Sequence, residues 1–119
     1  MKHLFLNISL MLMMFISIQK TVVAQGSTKT DTMTVYGNCG ECKSRIEEAS
    51  YVKGVKHAEW NKETKILTVV YNEDKTSREQ IAIAAAKAGH DSPNHSATDK
   101  AYKKLPSCCA YRTGTCDHD

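Results

Sequence analysis

Between Thr32 and Gly89 the apolar residues switch between the alternation of a strand and the spacing of a helix, and the order of those switches restricts the fold more than any other feature of the chain. Thr32-Met33-Thr34-Val35-Tyr36 alternates as a half-buried strand does. Cys42, Ile46 and Ala49 then recur at helical spacing between Cys42 and Ser50, with Arg45, Glu47 and Glu48 directed away from them, and Gly54 closes the segment. Val55 to Trp60 and Lys65 to Tyr71 read as a hairpin whose second arm keeps Leu67, Val69 and Tyr71 on one face. Thr76 or Ser77 is placed to cap a second helix, with Glu79 or Gln80 completing a capping box. Ile81, Ala84, Ala85 and Ala88 form its inner stripe. The order strand, helix, strand, strand, helix predicts an α+β fold of the ferredoxin-like βαββαβ kind. Asp91 to Ser96 makes a poor last strand, since Pro93 fits only at an edge, so that strand is expected to be short or irregular. Thr98 to Leu105 can add a helical turn or two before Pro106, opening a C-terminal extension that contains cysteines.

The first 24 of the 119 residues have the parts of a cleavable export signal: Lys2 and His3, an apolar run from Leu4 to Ile18, and Val22-Val23-Ala24 before Gln25. The apolar run is too short for a stable membrane anchor, so no stable insertion is expected after cleavage. Removing Lys2 and Lys20 from the 16 basic residues leaves 14 against 13 acidic ones, and most of the formal charge of +3 goes with the signal. So even a balance argues against a nucleic-acid or anionic-lipid grip through a charged surface. The expected organisation is a signal over 1–24, a polar leader over 25–30, one domain over 31–95 and the extension over 96–119. The expected location is the periplasm or the exterior. Export would favour disulfides, yet five cysteines is an odd number, so at least one must be free, paired between molecules or bound to something else.

Cys39-Gly40-Glu41-Cys42 lies between the first strand and the first helix. The exposed amides of a helix N-terminus favour thiolate, and the three-residue offset lets both sulfurs approach one point. Such a pair suits a soft ion, Cu(I) first, with Hg(II), Zn(II) and Cd(II) also suited. A local disulfide closing so short a loop would constrain little of the unfolded chain. A thiol-disulfide oxidoreductase also starts a helix with C-x-x-C. Against it stand the lack of an aromatic before Cys39 and of a proline between the cysteines, and the departure of the strand–helix order from that fold. That reading is kept as the alternative; the main one is a binding protein and not an enzyme.

Tyr36-Gly-Asn-Cys-Gly-Glu-Cys-Lys, Val52-Lys-Gly-Val55, Val69-Val-Tyr-Asn, Thr76-Ser and Ala88-Gly-His together resemble the heavy-metal-associated domain, over about Thr30 to His95. That family includes copper chaperones, N-terminal modules of metal-pumping ATPases and the periplasmic mercuric-ion binding protein. The resemblance implies a ferredoxin-like monomer that holds a soft metal at Cys39 and Cys42. It would pass the metal by thiolate exchange to a metal-transporting membrane protein or another metal-binding protein. The loop here, Gly37-Asn38-Cys39, is one residue shorter than the usual Gly-Met-Thr-Cys of the family. Cys108 and Cys109 are candidates to fold over the loop, although adjacent residues in an extended segment point opposite ways, so a single tail ligand is expected unless they lie in a turn. A tail disulfide such as Cys109 to Cys116 is the competing reading, and Cys116 and His118 are read as an unstructured end. His90, directly after the second helix, is an additional candidate: by the resemblance it faces the metal loop, where it would bind the ion directly or tune the thiolates. The competing reading is an exposed helix-terminal histidine.

Overall fold

The computed structural model describes residues 26–114. The expected signal over 1–24 and the residues Cys116 and His118 lie outside them. Strand β1 is Thr28–Thr34, which places the expected Thr32–Tyr36 window several residues too late and takes the end of the expected leader into the sheet. The reason is pairing: Lys29 and Thr30 lie opposite Tyr71 and Val70, and the polar side chains of this stretch are largely solvent-facing. Helix α1 is Gly40–Ser50, strand β2 is Val55–Trp60 and strand β3 is Ile66–Asn72. They are followed by α2, Arg78–Lys87, and by a short α3, Asp99–Lys103. The sheet is antiparallel, in the order β1-β3-β2, with Leu67, Val69 and Tyr71 of the central strand buried on one face as their alternation predicts.

In place of a fourth strand there is a single bridge, Ser92 to His95, turned through Pro93 and Asn94. Pro93 has no N–H to give a ladder, and the amides of Ser92 and His95 bond to each other's carbonyls at 2.8 and 3.2 Å. The segment still touches the place where a fourth strand would begin, because Tyr36 N donates to Asp91 O at 2.8 Å.

α1 buries Cys42, Ile46 and Ser50, a stripe four residues apart throughout, so the inner line runs to Ser50 and not to Ala49. The Ser50 hydroxyl is satisfied in the core by donating to Ile46 O at 2.6 Å. Ser77 caps α2, accepting from Gln80 N at 3.2 Å. The buried residues of α2 are Ile81, Ala82, Ala85 and Ala86, rotated from the expected Ile81, Ala84, Ala85 and Ala88. The rotation follows from what covers the helix: Ala82 and Ala86 line clefts shared with Pro93, His95, Ser96 and Ala101 of the returning chain. Trp60, buried at the end of β2, packs in the core and donates from Nε1 to Val35 O at 2.9 Å.

Gly89 ends α2 with φ +103°, in the left-handed region, and a side chain there would place Cβ 2.9 Å from Leu105 Cγ and 3.0 Å from Ala101 O. The backbone bend and the close approach both require glycine. Gly89→Ala is therefore expected to destabilise the fold by about 1–3 kcal/mol. Urea unfolding measures this, and a midpoint equal to that of the parent chain would show that the bend tolerates a side chain.

Candidate functional site

Cys39 has the extended backbone of an N-cap, and its Sγ accepts the Cys42 amide at 3.4 Å, the role an oxygen usually plays at a helix start. One turn of α1 brings the second sulfur back, so Cys39 Sγ and Cys42 Sγ are 3.1 Å apart. The Cys42 thiol also donates to Asn38 Oδ1 at 3.3 Å, a contact that marks Asn38 as part of the site although its residue type gave no signal of it. Gly37 lets the loop lie flat on the core: a Cβ there would stand 3.0 Å from Cys42 Cβ and 3.2 Å from Ile46 Cδ1 and from the Trp60 ring.

The extension returns to this loop. After Pro106 the chain makes a single 3-10 turn, Ser107–Cys109, closed by Cys109 N donating to Pro106 O at 2.8 Å. Cys109 is fully buried, with Sγ 3.4 Å from Cys39 Sγ. The sulfurs of Cys39, Cys108 and Cys109 all lie within 4.8 Å of one another. The turn overrides the expectation of a single tail sulfur, since it places both adjacent side chains on the loop side. None of these four cysteines forms a disulfide.

Burial by itself would raise the Cys39 pKa. Bonds from the Cys42 thiol and amide, and from Cys109 and Cys108, outweigh it, and Cys39 is held below its ordinary value. Burial raises Cys42, and it raises Cys109 strongly, with the neighbouring Cys42 and Cys39 sulfurs adding to the latter. Among these sulfurs Cys39 is the one whose thiolate is favoured relative to an ordinary cysteine, while burial disfavours ionisation of Cys42 and Cys109.

His90 is neither exposed nor part of the sulfur group. It is fully buried, its Nδ1 lies 2.9 Å from Tyr36 O, and its ring stacks on Tyr111 at 5.6 Å between centroids. With a carbonyl as the partner, Nδ1 carries the proton, and Nε2 is buried without a hydrogen-bond partner. Burial pushes its pKa down, Arg45 adds to that, and the Tyr36 carbonyl and Asp91 oppose it. His57 and His95 face Glu59 and Glu79 on the surface. Lys43 pairs with Glu47 and donates to Trp60 O at 2.8 Å, which binds α1 to the end of β2.

Sequence reading missed what fastens the tail. Tyr111 donates to Gly89 O at 2.7 Å and accepts from Asp91 N at 2.8 Å. Arg112 grips the Asp91 carboxylate with Nε at 2.8 Å and Nη2 at 2.7 Å, adds Ala97 O and Asp99, and lies over the Tyr102 ring. The signal was an aromatic and an arginine beside the cysteine pair in an otherwise small and polar end. The Arg112 guanidinium holds Asp91 below the ordinary carboxylate value.

Among solved structures the chain is similar to the CopZ metallochaperone, at 32% identity over 54% of this chain and 98% of that one, with a TM-score of 0.51. It is also similar to oxidized MerP from Ralstonia metallidurans CH34, at 34% identity over 56% of this chain and 94% of that one, TM-score 0.53. A third similarity is to the water-soluble region of the P-type ATPase CopA from Bacillus subtilis, at 28% identity over 57% of this chain and 46% of that one, TM-score 0.53. No family profile and no curated protein matches the chain.

The buried His90 and the clamped Asp91 make stability depend on pH in one direction. His90 folds with a pKa below its ordinary 6.5, so the unfolded chain takes the proton first; its contribution is complete above about pH 6.5 and declines below. Asp91, depressed below 3.8, contributes above that value and is lost as pH falls through its folded pKa. Urea midpoints are expected to fall as pH drops from about 7 to 5, with the slope flattened in His90→Gln, and to fall again in stronger acid, less steeply in Arg112→Ala. An unflattened slope in His90→Gln would remove His90 from this account.

Proposed function

The chain belongs to the heavy-metal-associated domain family, and from that premise we propose that it is an exported soft-metal-binding protein, a chaperone or scavenger, that takes Cu(I), Hg(II) or a similar ion at Cys39 and Cys42. The observation that carries the reading is the sulfur pair 3.1 Å apart at the N-terminus of α1, with the Cys39 pKa held below its ordinary value. A soft monovalent or divalent ion accepts two such thiolates readily, and the thiol protons leave to solvent on binding. Transfer proceeds by ligand exchange: a thiolate of the partner joins the ion, one sulfur of this chain leaves, and the second follows.

The partner in this reading is a metal-transporting membrane protein or another metal-binding protein, a reading supported by the similarity to the CopA soluble region. Binding and exchange require no enzymatic step. Among the described residues no helix is long and apolar enough to cross a membrane. Export to the periplasm or exterior, with cleavage after Ala24, rests on the order of parts in the first 24 residues. The intact mass of the protein recovered from its host should begin at Gln25, and a mass retaining Met1 to Ala24 would refute export by cleavage.

Titration of the reduced protein with Cu(I) against a competing chelator tests the main claim. Cys39→Ser/Cys42→Ser is expected to weaken binding by about a hundredfold or more, equivalent to about 2.7 kcal/mol. Unchanged affinity in that variant would refute the assignment of the ligands.

A further inference from the structure

The two tail cysteines lie where a second pair of ligands would be needed. Cys39 is the common vertex: its sulfur is 3.1 Å from that of Cys42, 3.4 Å from that of Cys109, and within 4.8 Å of that of Cys108. A zinc–sulfur bond of about 2.3 Å sets the sulfurs of a tetrahedral site about 3.8 Å apart. The Cys39 contacts with Cys42 and Cys109 are shorter than that value. Cys39, Cys108 and Cys109 form the group lying mutually within 4.8 Å, with Cys42 joined to it through Cys39, so the side chains have to spread and rotate to admit an ion.

This position is held from both sides of the cysteine pair. Leu105, just before it, packs against the core and over Gly89. Just after it, Tyr111 and Arg112 are fixed to Gly89, Asp91 and Ala97. Asp91 in turn accepts Tyr36 N through its carbonyl, only three residues before Cys39. One residue therefore fixes both the approach to the C-x-x-C loop and the exit from the tail turn, and the distance between the two sulfur pairs follows. The bidentate guanidinium–carboxylate pair holds the turn that buries Cys109 in one place.

We propose that Cys108 and Cys109 complete a four-sulfur site with Cys39 and Cys42, which lets this chain retain a thiophilic divalent ion of the Zn(II) and Cd(II) class. The inference rests on the metal-binding reading above and takes its scavenger side, because four thiolates hold an ion against exchange more firmly than two. Binding displaces the thiol protons to solvent, and no electron changes hands.

The test is Cd(II) binding by the reduced full chain, read by X-ray absorption at the cadmium edge and by competition with a chelator. About four sulfur neighbours are expected in the parent chain. About two, with oxygen or nitrogen making up the rest, are expected in Cys108→Ser/Cys109→Ser, together with an affinity lower by at least about tenfold. Cu(I), for which two sulfurs suffice, should change less. Two sulfurs in the parent chain, or parent-like sulfur number and affinity in the double variant, would overturn the proposal. Because Cys109 is buried, circular dichroism checks the fold of that variant. Arg112→Ala, which keeps every sulfur and loosens the tail, should also weaken Cd(II) binding, and undiminished affinity there counts equally against the proposal. Failure of the underlying reading looks different: Cys39→Ser/Cys42→Ser would then bind Cu(I) as the parent does.

Discussion

The contacts of Asp91 determine how the rest of the structure is arranged around the cysteines. Its carbonyl takes the amide of Tyr36, its amide donates to the Tyr111 hydroxyl, and its carboxylate accepts Ala97 N at 2.6 Å and the guanidinium of Arg112. A ferredoxin-like sheet would place a fourth strand beside β1, and backbone pairing would then set the position of this segment. Here the chain turns back at Pro93, so side-chain bonds replace the ladder. The bidentate pair is only partly exposed, its side chains being 28% and 17% accessible, which leaves it less screened than an open surface bridge.

The same economy of parts operates at the start of α1. A helix N-terminus has amides without intrahelical partners, and a polar atom must satisfy them. Cys39 Sγ does so for Cys42 and at the same time lies 3.1 and 3.4 Å from the Cys42 and Cys109 sulfurs. Ionising Cys39 strengthens the cap, because the negative sulfur sits at the positive end of the helix dipole. Sulfur retains further lone pairs, so capping and metal coordination by the same atom are compatible. Folding of the helix and preparation of the ligand are thus one event.

How much of this was legible in the sequence depended on whether the signal was periodic. The alternation of Leu67, Val69 and Tyr71, the capping serine at 77 and the C-x-x-C at a strand-to-helix junction each report a local rule, and each is where the rule puts it. Local rules failed where a distant segment intervened. β1 extends back to Thr28 because β3 offers partners that far, and the α2 stripe is rotated because the returning chain covers Ala82 and Ala86. His90 reads as an exposed helix end until Tyr111, twenty-one positions later, stacks on it. Adjacent cysteines point apart in an extended chain, and only the turn after Pro106, itself held by Arg112, makes both available to the loop. Pairings such as Arg112 with Asp91 join single residues across a long separation and leave no periodic trace.

Exposure then sets the side from which exchange can occur in the proposed function. Cys42 and Cys109 are fully buried, one against the core of α1 and the other beneath the tail, whereas Cys39 and Cys108 are half-buried. In the proposed four-sulfur site, Cys39 and Cys108 would therefore be the sulfurs more open to an incoming thiolate. Tyr36, three residues before Cys39, is 42% exposed. The tail turn is tied by Tyr111 to Gly89 O and by Arg112 to the Asp91 and Asp99 carboxylates, so any movement of Cys109 away from Cys39 has to strain those bonds.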